Sequence, residues 1–184
     1  MSIKDRISKY TNAFNFILIA NQARGQNFPE VKDPQTQQVI QRGVDILPPI
    51  QVQGNRTVRN IKLKITANGN DDQIIGAILY VPENSIADSL QTPQIVYQLT
   101  DNYNRILSSF IIPANAMRNQ DGTLSLRSAP QTIETSFIGS IDLHSGDKIA
   151  VVFTTWNGLF AGDGTIPDYL PITISGIAEF SINF

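Results

Sequence analysis

The feature that most limits the fold of this chain is a two-residue alternation of apolar and polar side chains. In Ile61-Lys62-Leu63-Lys64-Ile65 the apolar residues share one side and both lysines the other, the period of a strand with one buried face. The same pattern closes the sequence. Ile172, Ile174, Gly176, Ala178, Phe180, Ile182 and Phe184 share one parity, while Thr173, Ser175, Glu179, Ser181 and Asn183 fill most of the other. Composition extends the argument to the rest of the chain: Ile, Val and Thr make up 48 of 184 residues, against four Glu and six Lys, a balance that favours strands over helices.

Runs of this kind, bounded by turn residues, predict strands over residues 38–53 (broken at Pro48-Pro49), 57–67, 73–82, 94–100, 105–113, 132–141, 147–156 and 171–184. Between them, Asn68-Gly69-Asn70-Asp71, Asp101-Asn102-Tyr103-Asn104, Asp121-Gly122, Ser145-Gly146-Asp147 and Asn157-Gly158 supply residues that tolerate left-handed backbone. Three connections, 83–93, 114–130 and 157–170, are longer than a hairpin needs. The N-terminal segment differs, because Ile3, Ile7, Tyr10, Phe14 and Leu18 fall at helical spacing and Ser2 with Asp5 can cap a helix. A short amphipathic helix is expected there, with a strand over 14–20 as the alternative. Eight strands suit two four-stranded sheets. The expected fold is all-β: an eight-stranded single jelly-roll β-sandwich with a short N-terminal helix or arm, residues 1–37 forming the arm and linker and 38–184 the jelly-roll domain.

Several chemistries are absent from the sequence. Without cysteine there is no disulfide framework, thiolate metal site or cysteine nucleophile. The single histidine, His144, lies in a turn-like stretch, and its neighbours Asp142 and Ser145 are too close in sequence to face it with triad geometry. Asp71-Asp72, the 101–104 segment and Asp163-Gly164 lack the ladder of a calcium loop, and the glycines at 158, 162 and 164 lack a phosphate-loop lysine. Asn55-Arg56-Thr57 matches a glycosylation sequon that matters only in a secreted protein. No catalytic residue, metal site or cofactor is expected, and the chain reads as a non-enzyme. The apolar run 16–20 is too short to span a bilayer, and no signal-peptide core follows Lys4, Arg6 and Lys9. A cytosolic origin and no membrane partner are expected.

Charge is divided unevenly. Residues 1–64 carry ten basic and four acidic side chains, and residues 65–184 four basic and twelve acidic. Such asymmetry can mark one face for an acidic partner such as nucleic acid, or reflect a merely solvated basic face. The basic residues include Lys4, Arg6, Lys9, Arg24, Arg56, Arg59, Lys62 and Lys64, the candidate nucleic-acid-binding set, but they are strung out rather than consecutive. Phosphate contacts would be weak and non-specific for one subunit and would add up only where many copies present the same patch. Fifteen Asn and 14 Gln supply most of the remaining polarity, in keeping with wide, lightly charged surfaces that meet other protein.

The order of the motifs carries a resemblance. Val58-Arg59-Asn60-Ile61-Lys62-Leu63-Lys64-Ile65, then Gly76-Ala77-Ile78-Leu79-Tyr80-Val81-Pro82-Glu83-Asn84-Ser85, then the segment from Val96 to Ser109, resemble the front half of the capsid proteins of small circular Rep-encoding single-stranded DNA (CRESS DNA) viruses, circovirus-like single jelly rolls. Leu143-His144-Ser145-Gly146-Asp147-Lys148 with the apolar run to Phe153, and the closing stretch from Ile174 to Phe184, resemble the back half. The resemblance implies a coat protein that self-assembles as a homo-oligomer into the smallest closed icosahedral shell (T=1) around a single-stranded DNA genome. It implies a virion location after synthesis in the host cell, and an inner face that includes Lys62 and Lys64. The arginine-rich arm usual in that family has no counterpart here, where the N-terminus holds scattered Lys and Arg only. Two alternatives share the fold: a carbohydrate-binding jelly-roll module using Tyr80, Tyr97, Tyr103, Trp156 or Tyr169 as platforms, and a minor virion or phage structural protein.

Overall fold

Alternation of this kind needs a second layer to cover each apolar face, and the computed structural model, which describes residues 7–19, 43–47, 56–83, 105–121, 123–155 and 171–183, supplies it as a second sheet. The described strands are β1 (Ile7–Ile19), β2 (Gly43–Leu47), β3 (Arg56–Asn68), β4 (Ile74–Val81), β5 (Arg105–Ile112), β6 (Ala116–Arg118), β7 (Leu124–Leu126), β8 (Thr132–Leu143), β9 (Lys148–Thr155) and β10 (Pro171–Asn183). Two four-stranded antiparallel sheets have the orders β1-β10-β3-β8 and β2-β9-β4-β5, while β6 and β7 form a small separate hairpin. Apart from that hairpin, the chain crosses between the sheets at every step except β4 to β5. First and last strands lie side by side. This is the jelly roll expected from the strand count, two interleaved Greek keys.

The core between the sheets follows the alternation. Ile61, Leu63, Ile65 and Ala67 of β3, Ile172, Ile174, Ala178, Phe180 and Ile182 of β10, and Ile74, Ile78, Ile149, Val151 and Phe153 of the facing sheet form one buried cluster. Each large aliphatic side chain placed there stabilises the fold by about 1.5–3 kcal/mol relative to an exposed position. Two glycines let aromatic rings into this layer. Phe14 stands opposite Gly176 across β1 and β10, and Phe110 opposite Gly76 across β5 and β4. A Cβ on Gly176 would run into the Phe14 ring, and one on Gly76 into the Phe110 ring.

The sheets differ in their outer faces. In the second, Ala77, Leu79, Val81, Ala150 and Val152 form a further buried cluster with Ile106 packed on it, so β4 is buried on both sides and reads as a continuous apolar run. The first sheet keeps an exposed outer face that is mostly polar, with Ile177 exposed among its polar side chains.

Side chains tie off both ends. At one end, Asp147 Oδ2 accepts hydrogen bonds from the Tyr80 hydroxyl (2.8 Å) and the His144 amide (2.8 Å), and its Oδ1 accepts from the Glu83 amide (3.1 Å), joining the β8–β9 turn to the end of β4. At the other, Asn115 Oδ1 accepts from the amides of Gly69 and Asn70, both at 3.1 Å, while Asn70 Nδ2 donates to the Pro113 carbonyl at 2.8 Å. Arg118 Nε contacts Asp71 Oδ2 at 3.0 Å beside it.

Two features depart from the sequence expectations. Residues 7–19 form an edge strand rather than the expected helix, overlapping the alternative strand over 14–20, and pair with β10 from Ile7↔Asn183 to Ile19↔Pro171. The helical reading arose because Asn12, on the inward parity with Tyr10 and Phe14, interrupts the apolar alternation. Its Nδ2 donates to the Ile46 carbonyl of the facing sheet at 2.9 Å, which satisfies the amide there. The 114–130 connection contains β6 and β7, each too short to show a period. The expected strand over 94–100 lies outside the described residues.

Candidate nucleic-acid interface

On β3, strict alternation would place Arg59 with Ile61 on the inner side and Arg56 with Lys62 on the outer side. The strand does the opposite, because Asn60 takes a positive φ of 52°. Ile61 pairs with Phe137 and Arg59 with Ser140, while on the other side Lys62 pairs with Glu179 and Arg59 with Ser181. Both ladders slip at this point, as at a β-bulge. The burial pattern slips with them: Arg56 and Val58 point inward, Arg59 and Asn60 are both exposed, and inward positions resume at Ile61.

The bulge assembles a basic row on the outer face of the first sheet. Arg59, Lys62 and Lys64 are all exposed there. Lys9 of β1 joins them, since it and Arg59 flank Ser181 of β10 from either side. Carboxylates interleave with the row. Lys62 faces Glu179 across the ladder, Lys64 Nζ lies 3.2 Å from Glu134 Oε1, and Asp142 Oδ1 accepts a 2.7 Å hydrogen bond from Thr57 nearby. An exposed pair such as Lys64 and Glu134 is worth at most about 1 kcal/mol, so the lysine can exchange its carboxylate for a phosphate at little cost. The face can hold a polyanion weakly and without reading sequence.

Of the residues singled out from the sequence, Lys9, Arg59, Lys62 and Lys64 are thus brought together on one face. Arg56 is not; the bulge turns it inward, where it is 1% exposed. Lys4, Arg6 and Arg24 lie outside the described residues. The inversion had a visible signature, because Val58 is at an even position and Ile61, Leu63 and Ile65 at odd ones. His144 is exposed, and among the described residues no group of three or more His, Cys, Asp or Glu could hold a metal ion. Among the same residues no helix is long and apolar enough to cross a membrane.

The turn beside this face has its own electrostatics. Burial alone would raise the Asp147 carboxyl, but hydrogen bonds from the His144 amide, the Tyr80 hydroxyl and the Glu83 amide, with the charge of His144, hold it below the ordinary carboxylate value. Burial, the hydrogen bond to Asp147 and its charge push the Tyr80 hydroxyl up to about 12. The Gly-Asp-Lys segment therefore has a structural role: Asp147 is the knot of the turn.

No protein-family model matches the chain, and no curated protein matches it. Among solved structures, the chain is similar to infectious bursal disease virus, Gx strain (TM-score 0.37, 10% identity, covering 96% of this chain and 33% of that one). It is similar to a full particle of Israeli acute paralysis virus (TM-score 0.37, 14% identity, 96% and 71% covered). It is also similar to an aminopeptidase from the marine sediment archaeon Thaumarchaeota archaeon (TM-score 0.31, 13% identity, 97% and 33% covered). The chain thus spans about a third of the length of the bursal disease virus chain. Likeness this loose carries no functional argument.

Proposed function

We propose that this chain is a viral coat subunit that self-assembles into a small closed icosahedral shell around a single-stranded DNA genome. The observation that carries the reading is where the coat-like motifs fall. Val58 to Ile65 lies in β3, Gly76 to Val81 in β4, Arg105 to Ser109 in β5, the Gly-Asp-Lys segment at the β8–β9 turn and Ile174 to Asn183 in β10. Jelly-roll topology, shared by viral capsids, lectin domains and cupins, and the motif order resembling CRESS DNA virus capsids support the same reading from independent directions. The carbohydrate-binding alternative draws no support from Tyr80, whose hydroxyl is engaged by Asp147.

In this reading the subunit is a rigid building block. Its strand β4 is buried on both sides, and the outer face of the first sheet, with Lys9, Arg59, Lys62 and Lys64, contacts the genome. The contact is sequence-independent and salt-sensitive, and it becomes appreciable through the number of copies. The test is to change Arg59, Lys62 and Lys64 together to Ala and compare the nucleic-acid content of purified particles by absorbance ratio. A marked fall supports the face as the genome contact, and unchanged content rejects it.

A further inference from the structure

The bulge that exposes Arg59 also buries a cation. Arg56 is 1% exposed, and its Nε, Nη1 and Nη2 have no hydrogen-bond partner among the described residues. Its neighbours on the ladder are apolar. Leu143 stands opposite it on β8, and Val58 with its β10 partner Ile182 comes next on the inner side, all three buried. A guanidinium cannot escape such a setting by losing its proton. Desolvated and unpaired, it is strongly unfavourable, so an acceptor must reach it from beyond these residues. The planar fork selects the shape of that acceptor: two oxygens on one centre, each about 2.7–2.9 Å from a nitrogen.

We propose that Arg56 forms an oxyanion site at the end of the sandwich where β3 begins and β8 and β10 finish. With one cation to balance it, the site takes a single oxyanionic group, carboxylate or phosphate, held bidentately. Two sources carry that chemistry: a free inorganic ion, or a carboxylate of a second copy of the chain. The site does not depend on the coat-protein reading.

The experiment titrates inorganic phosphate into the full-length chain at constant ionic strength, balanced with sodium chloride. It follows thermal unfolding and bound phosphate by equilibrium dialysis, with Arg56→Met alongside. The wild type is expected to bind one phosphate per chain and to show a saturable Tm rise of roughly 5–10 °C at a hundredfold excess over Kd, and Arg56→Met to lose both. If the wild type binds no phosphate but Arg56→Met lowers the mass of self-associated protein by light scattering, the oxyanion is a carboxylate of a second copy. A phosphate response retained in Arg56→Met overturns the site, as does a variant matching a phosphate-blind wild type in self-association. Should Arg56→Met fail to fold, Arg56→Lys, which keeps the charge and loses the fork, is expected to weaken phosphate binding or self-association at least tenfold; no change in either overturns the proposal.

Discussion

Arg59 and Lys62 point to the same side of β3 although three positions separate them in a strand whose side chains alternate. Asn60, at φ 52°, absorbs the extra residue between them. The basic row on the first sheet therefore depends on one backbone conformation that Asn and Gly accept readily and β-branched residues do not. Asn60→Gly is expected to leave stability within about 0.5 kcal/mol, whereas Asn60→Val costs about 1–2 kcal/mol. Urea unfolding checks both, and equal midpoints for the two variants would show that the bulge is not held by residue 60.

Two cross-strand pairs make glycine obligatory for packing rather than for backbone freedom. Gly176→Ala drives a methyl into the Phe14 ring and Gly76→Ala drives one into the Phe110 ring. Each is expected to cost about 1–3 kcal/mol as overpacking. Combining Gly176→Ala with Phe14→Leu should recover part of the loss, which a double-mutant cycle measures; strict additivity would mean that the ring and the glycine are not coupled.

The Asp147 turn sets a pH dependence with a definite sign. The folded state holds the Asp147 carboxyl below its ordinary value, so its contribution is complete above the unfolded carboxylate pKa and is lost as pH falls through the lower folded value. Tyr80 acts at the other end of the scale. Its folded value of about 12 lies above the ordinary 10.0, so its contribution is present below pH 10 and fades as pH rises toward 12. Asp147→Asn should flatten the acid limb of stability against pH, and Tyr80→Phe the alkaline limb. Chemical denaturation across pH reads both, and unchanged limbs would contradict the assignment.

Phosphate contacts by Arg59, Lys62 and Lys64 should appear as a salt slope. For single-stranded nucleic acid each contact contributes about 0.7 to the slope of log K against log salt, so the triple Ala variant should lower its magnitude by roughly 2. The affinity loss should be uniform across unrelated sequences. A slope that does not move would place the contact elsewhere.

Much of this fold was legible because alternation is a local signal. The strands β4, β5, β9 and β10 fall within segments predicted from the sequence, β3 and β8 overrun theirs by one or two residues, and β2 lies within a longer one. What failed was tertiary. Asn12 sits on the inner side of β1 because a carbonyl across the sandwich, that of Ile46, accepts its amide, and no pattern within residues 7–19 shows that. The site was half legible. Lys62 and Lys64 follow directly from parity, whereas the faces of Arg56 and Arg59 depended on a bulge marked only by the phase slip from Val58 to Ile61. The resemblance pointed to the Gly-Asp-Lys segment without its reason, the hydrogen bonds that Asp147 accepts from Tyr80, His144 and Glu83.

The most direct test of the coat-subunit reading is the mass and shape of the purified chain in solution, by light scattering with negative-stain microscopy, the absorbance ratio recorded on the same sample. Uniform closed spherical particles many times the 20.3 kDa chain mass are expected, with nucleic acid inside. A clean monomer across concentrations and salt conditions would contradict it.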